Sequence, residues 1–218
     1  MIECFEEIQR ATPELKIHLI LVNDGSAQTF SKKGFDSILS KIPDAQLVSY
    51  TKNRGKGFAL RKGLEVAKNN ICVYTDIDFP YENKDTVKVF KKLIEHSADV
   101  VHGIRNKSYV ANAPKFRAFI SKLLKRMIKT TLRLKVHDTQ CGLKGFNQKG
   151  KEIFLQTSID RYLFDLEFIF LASKKKGISI QPEVVTLKED VVFSTMSFKT
   201  LTQEALNFFK LILKSLFH

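Results

Sequence analysis

The 218 residues carry 36 Lys and Arg against 23 Asp and Glu, a formal net charge of +13, with 44% hydrophobic residues and only five prolines. A chain of this length buries one core and is short for two, so a single domain over 1–218 is expected. No stretch reads as a leader peptide or as a run of about eighteen uncharged apolar residues, so a chain that does not span a bilayer is expected, and Cys4, Cys72 and Cys141, odd in number and far apart, fit neither a disulfide framework nor a zinc site and suit a reducing cytoplasm.

The positive charge favours phosphate-rich partners or anionic lipid. The phenylalanines fall in apolar periodic runs and are not interleaved with basic residues as a base-stacking platform requires, which argues against nucleic acid.

After an N-terminal helical stretch, Lys16 to Val22 reads as a buried strand stopped by the turn Asn23-Asp24-Gly25-Ser26. Gln46 to Tyr50 is a second strand, followed by the loop Thr51 to Gly57 and a helix from Phe58 to Ala67. Ile71 to Thr75 is a third, ending in Asp76-Ile77-Asp78, and Ala98 to Val101 a fourth, ending in His102-Gly103-Ile104-Arg105. Strands alternating with helices predict a mostly parallel sheet, which binds ligands beyond the carboxyl ends of its strands. All four polar clusters belong to that end. Further on, residues 115–135 read as a basic amphipathic helix with no acidic residue, suited either to an anionic membrane surface or to packing on the core, and 201–217 as a C-terminal amphipathic helix. In the latter Ala205, Phe208, Phe209, Ile212, Leu213 and Leu216 form the apolar face, opposite Gln203, Asn207, Lys210 and Lys214.

Asp76 and Asp78, one residue apart after a strand, are oxygen ligands of the kind that hard divalent cations take, and a cation bridging a diphosphate would neutralise a departing nucleotide. The alternative is a solvated turn. Asn53-Arg54-Gly55-Lys56-Gly57 opens a helix, so its NH groups and Lys56 suit an anion, although the spacing is not that of a Walker loop. Asp24 would accept hydrogen bonds from a base or ribose, or simply serve its turn.

These blocks, with Asp138-Thr139-Gln140-Cys141-Gly142-Leu143-Lys144 and Phe164-Asp165-Leu166-Glu167, resemble family 2 glycosyltransferases that make polyprenyl-phosphate sugars, such as dolichol-phosphate mannose and glucose synthases. The resemblance covers roughly residues 17 to 200. It implies a GT-A-like (Rossmann-like) α/β fold and an inverting transfer of a hexose from a GDP- or UDP-sugar to a polyprenyl phosphate, at the cytoplasmic face of a membrane. It also implies Mg or Mn on Asp76 and Asp78, and donor contacts from Asp24, Gly25, Lys56, Asp76 and Asp78. Arg105 would face the acceptor phosphate with Arg117 and Ser121, while Asp138, Gln140 and Glu167 match blocks that position the acceptor loop. Asp78, Arg105 and Asp138 are the expected catalytic residues.

A phosphate monoester, its second pKa near about 6, is already an anionic nucleophile and needs steering, not a base. A sugar-hydroxyl acceptor on a glycan or lipid-linked saccharide would need a base, with Asp138 the candidate. A weakened, membrane-binding relative is the non-catalytic alternative. The chain departs from the family in five places: the usual first strand is missing, which predicts an N-terminally truncated chain with unpaired backbone in the sheet; Asn23 stands where a first Asp is usual; Pro80 replaces a frequent Gln after Asp-x-Asp; no lysine stands in Phe193-Ser194-Thr195-Met196; and the membrane-spanning tail of some relatives is not seen.

Overall fold

The computed structural model describes residues 1–26, 32–105, 128–132, 134, 138–188 and 198–216. In chain order these form α1 (Ile2–Ala11), β1 (Ile20–Asp24), α2 (Lys32–Lys41), β2 (Gln46–Tyr50), α3 (Lys56–Val66), β3 (Cys72–Tyr74), α4 (Asn83–Ile94) and β4 (Val100–Arg105). After a π-helical turn, Ile128–Leu132, come β5 (Lys144–Phe146), α5 (Gln148–Leu155), α6 (Phe164–Lys174), β6 (Ile180–Val185) and α7 (Phe198–Leu216).

The strands belong to two sheets. β1 and β2 run parallel, in register from Ile20 opposite Gln46 to Asp24 opposite Tyr50. The other sheet has the order β3-β5-β4-β6. β4 and β6 are parallel, whereas β5 is antiparallel to both β3 and β4. The expected mostly parallel arrangement is present, since β1 runs with β2 and β3, β4 and β6 share one direction, with β5 alone reversed, and the strands fall into two ladders, β2-β1 and β3-β5-β4-β6. Among the described residues β1 and β3 each have a strand partner on one side only.

β5 escapes the sequence pattern because Lys144-Gly145-Phe146 is three residues long and begins with a fully buried lysine. β6 contains Pro182, which reads as a strand breaker. It is accommodated because β6 pairs with β4 alone and lies at the sheet edge, where a missing N–H costs no ladder bond.

The larger sheet separates two apolar layers by the two-residue alternation of its side chains. Cys72, Tyr74, Val100 and Phe146 face one layer, with Phe154 of α5 and Phe164 and Phe168 of α6. Val73 and Val101 face the other, with Val89 and Leu93 of α4. On the first side Phe146 stacks on Phe154 at 5.4 Å and meets Phe168 edge-on, and each such ring pair adds about 0.5–1.5 kcal/mol beyond area burial. Residues Phe164 to Phe170 of α6 are all buried, so this helix is enclosed on every side.

Most of the helix expected over 115–135, with Arg117 and Ser121, lies outside the described residues. Its described part, Ile128–Leu132, is π-helical and buries Ile128 and Leu132 in the first layer. α7 corrects the expected apolar face: Phe208 and Leu211 are buried with the carboxyl-bearing Glu204, while Leu206, Phe209 and Leu213 are exposed. The core-facing stripe is thus turned by about one residue, roughly 100°. Among the described residues no helix is long and apolar enough to cross a membrane.

Candidate active site

The loop after β2 organises the carboxyl end of the smaller sheet. Both oxygens of Asp24, the last residue of β1, accept backbone hydrogen bonds from this loop, from Arg54 N at 2.7 Å and Gly55 N at 2.8 Å. Asn53 Nδ2 donates to the Asp24 carbonyl at 2.9 Å. The following Gly25 has φ +71, and a Cβ there would stand 2.4 Å from Asn53 N, so only glycine lets the two loops close. Asp24 is thus the clasp of the loop, with its remaining lone pairs available to a ligand. Burial beside this carboxylate pushes the Tyr50 hydroxyl well above its ordinary pKa.

The outer side of the same loop rests on residues 157–161. Gly55 has φ +109 and packs on the Asp160 carbonyl, which accepts Gly57 N at 2.7 Å. Arg61, one turn along α3, donates to Thr157 Oγ1 at 3.2 Å and Ile159 O at 3.0 Å and pairs with Asp160. The glycines and arginine between Asn53 and Gly63 therefore first build a rigid loop, and this loop aims Lys56.

Lys56 Nζ meets Asp76 Oδ1 at 2.5 Å, joining the loop after β2 to the loop after β3. Gly142 closes the same spot from a third direction: a Cβ there would lie 2.6 Å from Asp76 Oδ2 and 3.6 Å from Lys56 Nζ. Gly142 N donates to the Tyr81 hydroxyl at 3.0 Å, which fixes that approach. Asp78 is exposed in the turn closed by Phe79 N on the Asp76 carbonyl at 3.0 Å, and it makes no hydrogen bond among the described residues. Among the described residues no group of three His, Cys, Asp or Glu converges as a metal site. The donor set is two carboxylates, one already paired with a lysine. That does not make a closed structural site. It does fit a hard cation that keeps several waters and takes its other oxygens from a diphosphate.

Arg105, the last residue of β4, forks onto Asp138: Nη2 to Oδ1 at 2.5 Å and Nε to Oδ2 at 2.8 Å. Its backbone N adds a third bond to Oδ2 at 3.0 Å. Such a bidentate pair holds the guanidinium plane and takes up the carboxylate that would otherwise be a candidate base. Gln140 is half-buried in the adjoining turn. Arg117 and Ser121 are outside the described residues.

A second tier lies beneath, where sequence reasoning named blocks but not roles. Lys144 is fully buried and bonds Asp165 Oδ1 at 2.7 Å and the Cys141 carbonyl at 2.5 Å. The Tyr74 hydroxyl donates to the same Asp165 oxygen. These bonds hold the Cys141-Gly142 turn against Asp76. His102, buried close by, has its pKa pushed down to about 4 by burial and then by the Lys144 charge, so it is neutral at physiological pH. Glu167 accepts Ser158 N and Ile159 N, both at 2.8 Å, and pairs with Lys214 of α7 at 2.9 Å. Its role is to hold the segment under the Lys56 loop.

A dolichyl-phosphate beta-glucosyltransferase of Dictyostelium discoideum is 29% identical over 178 residues, 76% of this chain and 54% of that protein. Its human counterpart is 26% identical over 177 residues, covering 77% and 55%. The chain therefore spans about half the length of these relatives. An uncharacterized protein of Methanocaldococcus jannaschii is 27% identical over 209 residues and is matched over 89% of its length. Among solved structures, mannosyl-3-phosphoglycerate synthase from Rubrobacter xylanophilus superposes with a TM-score of 0.64 at 14% identity, over 99% of this chain and 68% of that one. A glucosyl-3-phosphoglycerate synthase from Mycobacterium tuberculosis, solved with uridine diphosphate, gives 0.60 at 14% identity over 96% and 83%. The fold is GT-A-like. The model of the family described as "Glycosyl transferase family 2" matches residues 1–154, the stretch that holds the Asp24 clasp, the Lys56–Asp76 contact and the Arg105–Asp138 fork, and the chain belongs to that family.

Proposed function

We propose that this chain transfers a hexose from a nucleoside-diphosphate sugar to a polyprenyl phosphate at the cytoplasmic face of a membrane, with UDP-glucose the first donor to test. The observation that carries the reading is the Lys56–Asp76 contact at 2.5 Å, which puts a cation and a carboxylate where two strand-end loops converge. The named activity of the relatives, a dolichyl-phosphate beta-glucosyltransferase, and a structural neighbour solved with Mn2+ and UDP-glucose support the choice of acceptor and donor.

In this reading the nucleoside lies along Asp24 and Gly25, and the diphosphate reaches Lys56. Asp76 and Asp78 are the residues that would hold Mg or Mn. When bound, that ion supplies positive charge to the departing diphosphate. Lys56 supplies charge on the same group from the protein side and, released from Asp76, leaves both carboxylates free for the ion. Arg105, held flat by Asp138, orients the acceptor phosphate, together with Arg117 and Ser121. The acceptor phosphate is anionic at neutral pH, so attack on the anomeric carbon requires no protein base, and direct displacement inverts that carbon. Asp138, engaged by three N–H groups of Arg105, suits a positioning role better than that of a base for a sugar hydroxyl.

The test is thermal unfolding with UDP, GDP and their hexose conjugates, with and without manganese, on the wild type and Asp78→Ala, followed by transfer of labelled glucose to dolichyl phosphate. A manganese-dependent stabilisation by one nucleotide that the variant loses, together with a lipid-phosphate-dependent product, is expected. Transfer to a glycan hydroxyl but not to the lipid phosphate would overturn the acceptor assignment.

A further inference from the structure

The outer side of the Lys56 loop borders a separate cavity of about 450 Å³, enclosed by residues 52–54, residues 158–161 and the inner face of α7. This is the size of a small-molecule site, not of a packing defect. Its wall is charged out of balance. Arg54 is paired with Asp160 at 3.6 Å and Lys214 with Glu167 at 2.9 Å, which accounts for both carboxylates in the lining. Lys52, Arg161 and Lys210 also line the cavity and form no ion pair among the described residues. Three cations thus line a concave, polar space whose two carboxylates are already paired with other cations.

We infer that this cavity binds a phosphate group, at a site distinct from the Lys56–Asp76 crevice and on the opposite side of the same loop. Lys and Arg directed into a partly enclosed space bind phosphate through charge-assisted hydrogen bonds, which gain strength from the reduced solvent there. Asn207 and Gln203 of α7 add neutral polar groups to the rim. The loop that forms one wall also supplies Arg54 N and Gly55 N to Asp24, so a ligand that draws on Arg54 or Lys52 bears directly on the clasp. The phosphate belongs either to a small soluble anion or to a lipid headgroup. The second source is included because the exposed Leu206, Phe209 and Leu213 form a stripe on α7, and at about 100° per residue Lys210 stands between that stripe and the cavity.

The experiment is binding of inorganic pyrophosphate by calorimetry in metal-free buffer, in parallel with co-sedimentation on phosphatidylglycerol and on phosphatidylcholine vesicles. Wild type is compared with Lys52→Ala/Lys210→Ala, with Lys56→Ala, and with Lys62→Ala/Lys149→Ala. The last removes the same charge at positions outside the cavity lining. The expected result is affinity for at least one of the anionic probes that falls about tenfold or more in Lys52→Ala/Lys210→Ala and persists in the other two variants. A pyrophosphate signal identifies a soluble anion, and a signal confined to phosphatidylglycerol vesicles identifies a headgroup. The inference is overturned if neither probe binds, if the charge-matched control loses as much affinity as the cavity variant, or if binding vanishes with Lys56→Ala.

Discussion

Gly142 and Asp76 touch so closely that one methyl group would part them: a Cβ on Gly142 would stand 2.6 Å from a carboxylate oxygen of Asp76. The atom met is the free end of a side chain, so Gly142→Ala is accommodated by turning Asp76 away, at little cost to folding. In the proposed reading, donor binding depends on where that carboxylate points. We expect the variant to retain its melting temperature within a few degrees while kcat/KM for the nucleotide sugar falls about tenfold or more, equivalent to about 1.4 kcal/mol of transition-state binding.

Asp24→Ala leaves Arg54 N and Gly55 N without their carboxylate. Charge-assisted bonds at a half-exposed site support an expected loss of about 1–2 kcal/mol in urea unfolding. Hydrogen exchange is the sharper readout. Amides 53–57 lose protection, while those of α6 keep it.

Lys144 and Asp165 form a buried pair, so removing one partner strands the other. Lys144→Met is expected to cost about 3–5 kcal/mol, and Lys144→Met with Asp165→Leu less than the sum of the two single changes. A double-mutant cycle by chemical denaturation measures the coupling.

His102 gives stability a pH dependence whose sign is fixed by its depressed pKa. The folded form stays neutral down to about 4, whereas the unfolded residue takes up its proton near 6.5. Between those values the unfolded state binds more protons, so stability falls as pH falls, by up to about 1.4 kcal/mol per pH unit. Glu167 and Asp99, whose carboxyls are held below their ordinary values by hydrogen bonds and nearby lysines in spite of burial, lose their contributions at lower pH still. Glu204, raised by burial, acts in the opposite sense just above the usual carboxylate range. Denaturant midpoints of the wild type between pH 4.5 and 7 are expected to slope more steeply than those of His102→Gln.

If the acceptor is a phosphate, the acidic limb of the rate profile belongs to the substrate. The transfer rate is expected to rise through the second phosphate ionisation near about 6 in the wild type and in Asp138→Asn alike, with the variant slower throughout. Loss of that limb in Asp138→Asn would show that Asp138 takes the proton of a hydroxyl.

Those features that depend on local pattern were readable in the sequence: β2 at Gln46–Tyr50, the helix after the Asn53 loop, and the loops that bring Asp24, Lys56 and Asp76 to one end. β5 was not readable, because a three-residue strand beginning with Lys144 has neither length nor periodicity, and its burial depends on Asp165, more than twenty residues away. The fork between Arg105 and Asp138 was hidden for a related reason. Each residue was named, but only the tertiary fold decides whether a charge meets a ligand or another charge. The exposed face of α7 was misplaced because Glu204 is buried as an acceptor for Tyr162 N and Leu163 N, which rotates the helix away from its purely apolar solution.

Asp24 and Asp76 belong to different sheets, yet one loop holds both, Gly55 on the first and Lys56 on the second. The two halves of the crevice are therefore linked through adjacent backbone positions, whose Cα atoms lie about 3.8 Å apart, and through the Lys56 side chain that completes the span. Inserting a single residue between Gly55 and Lys56 would leave each sheet intact and yet put the two carboxylates out of step.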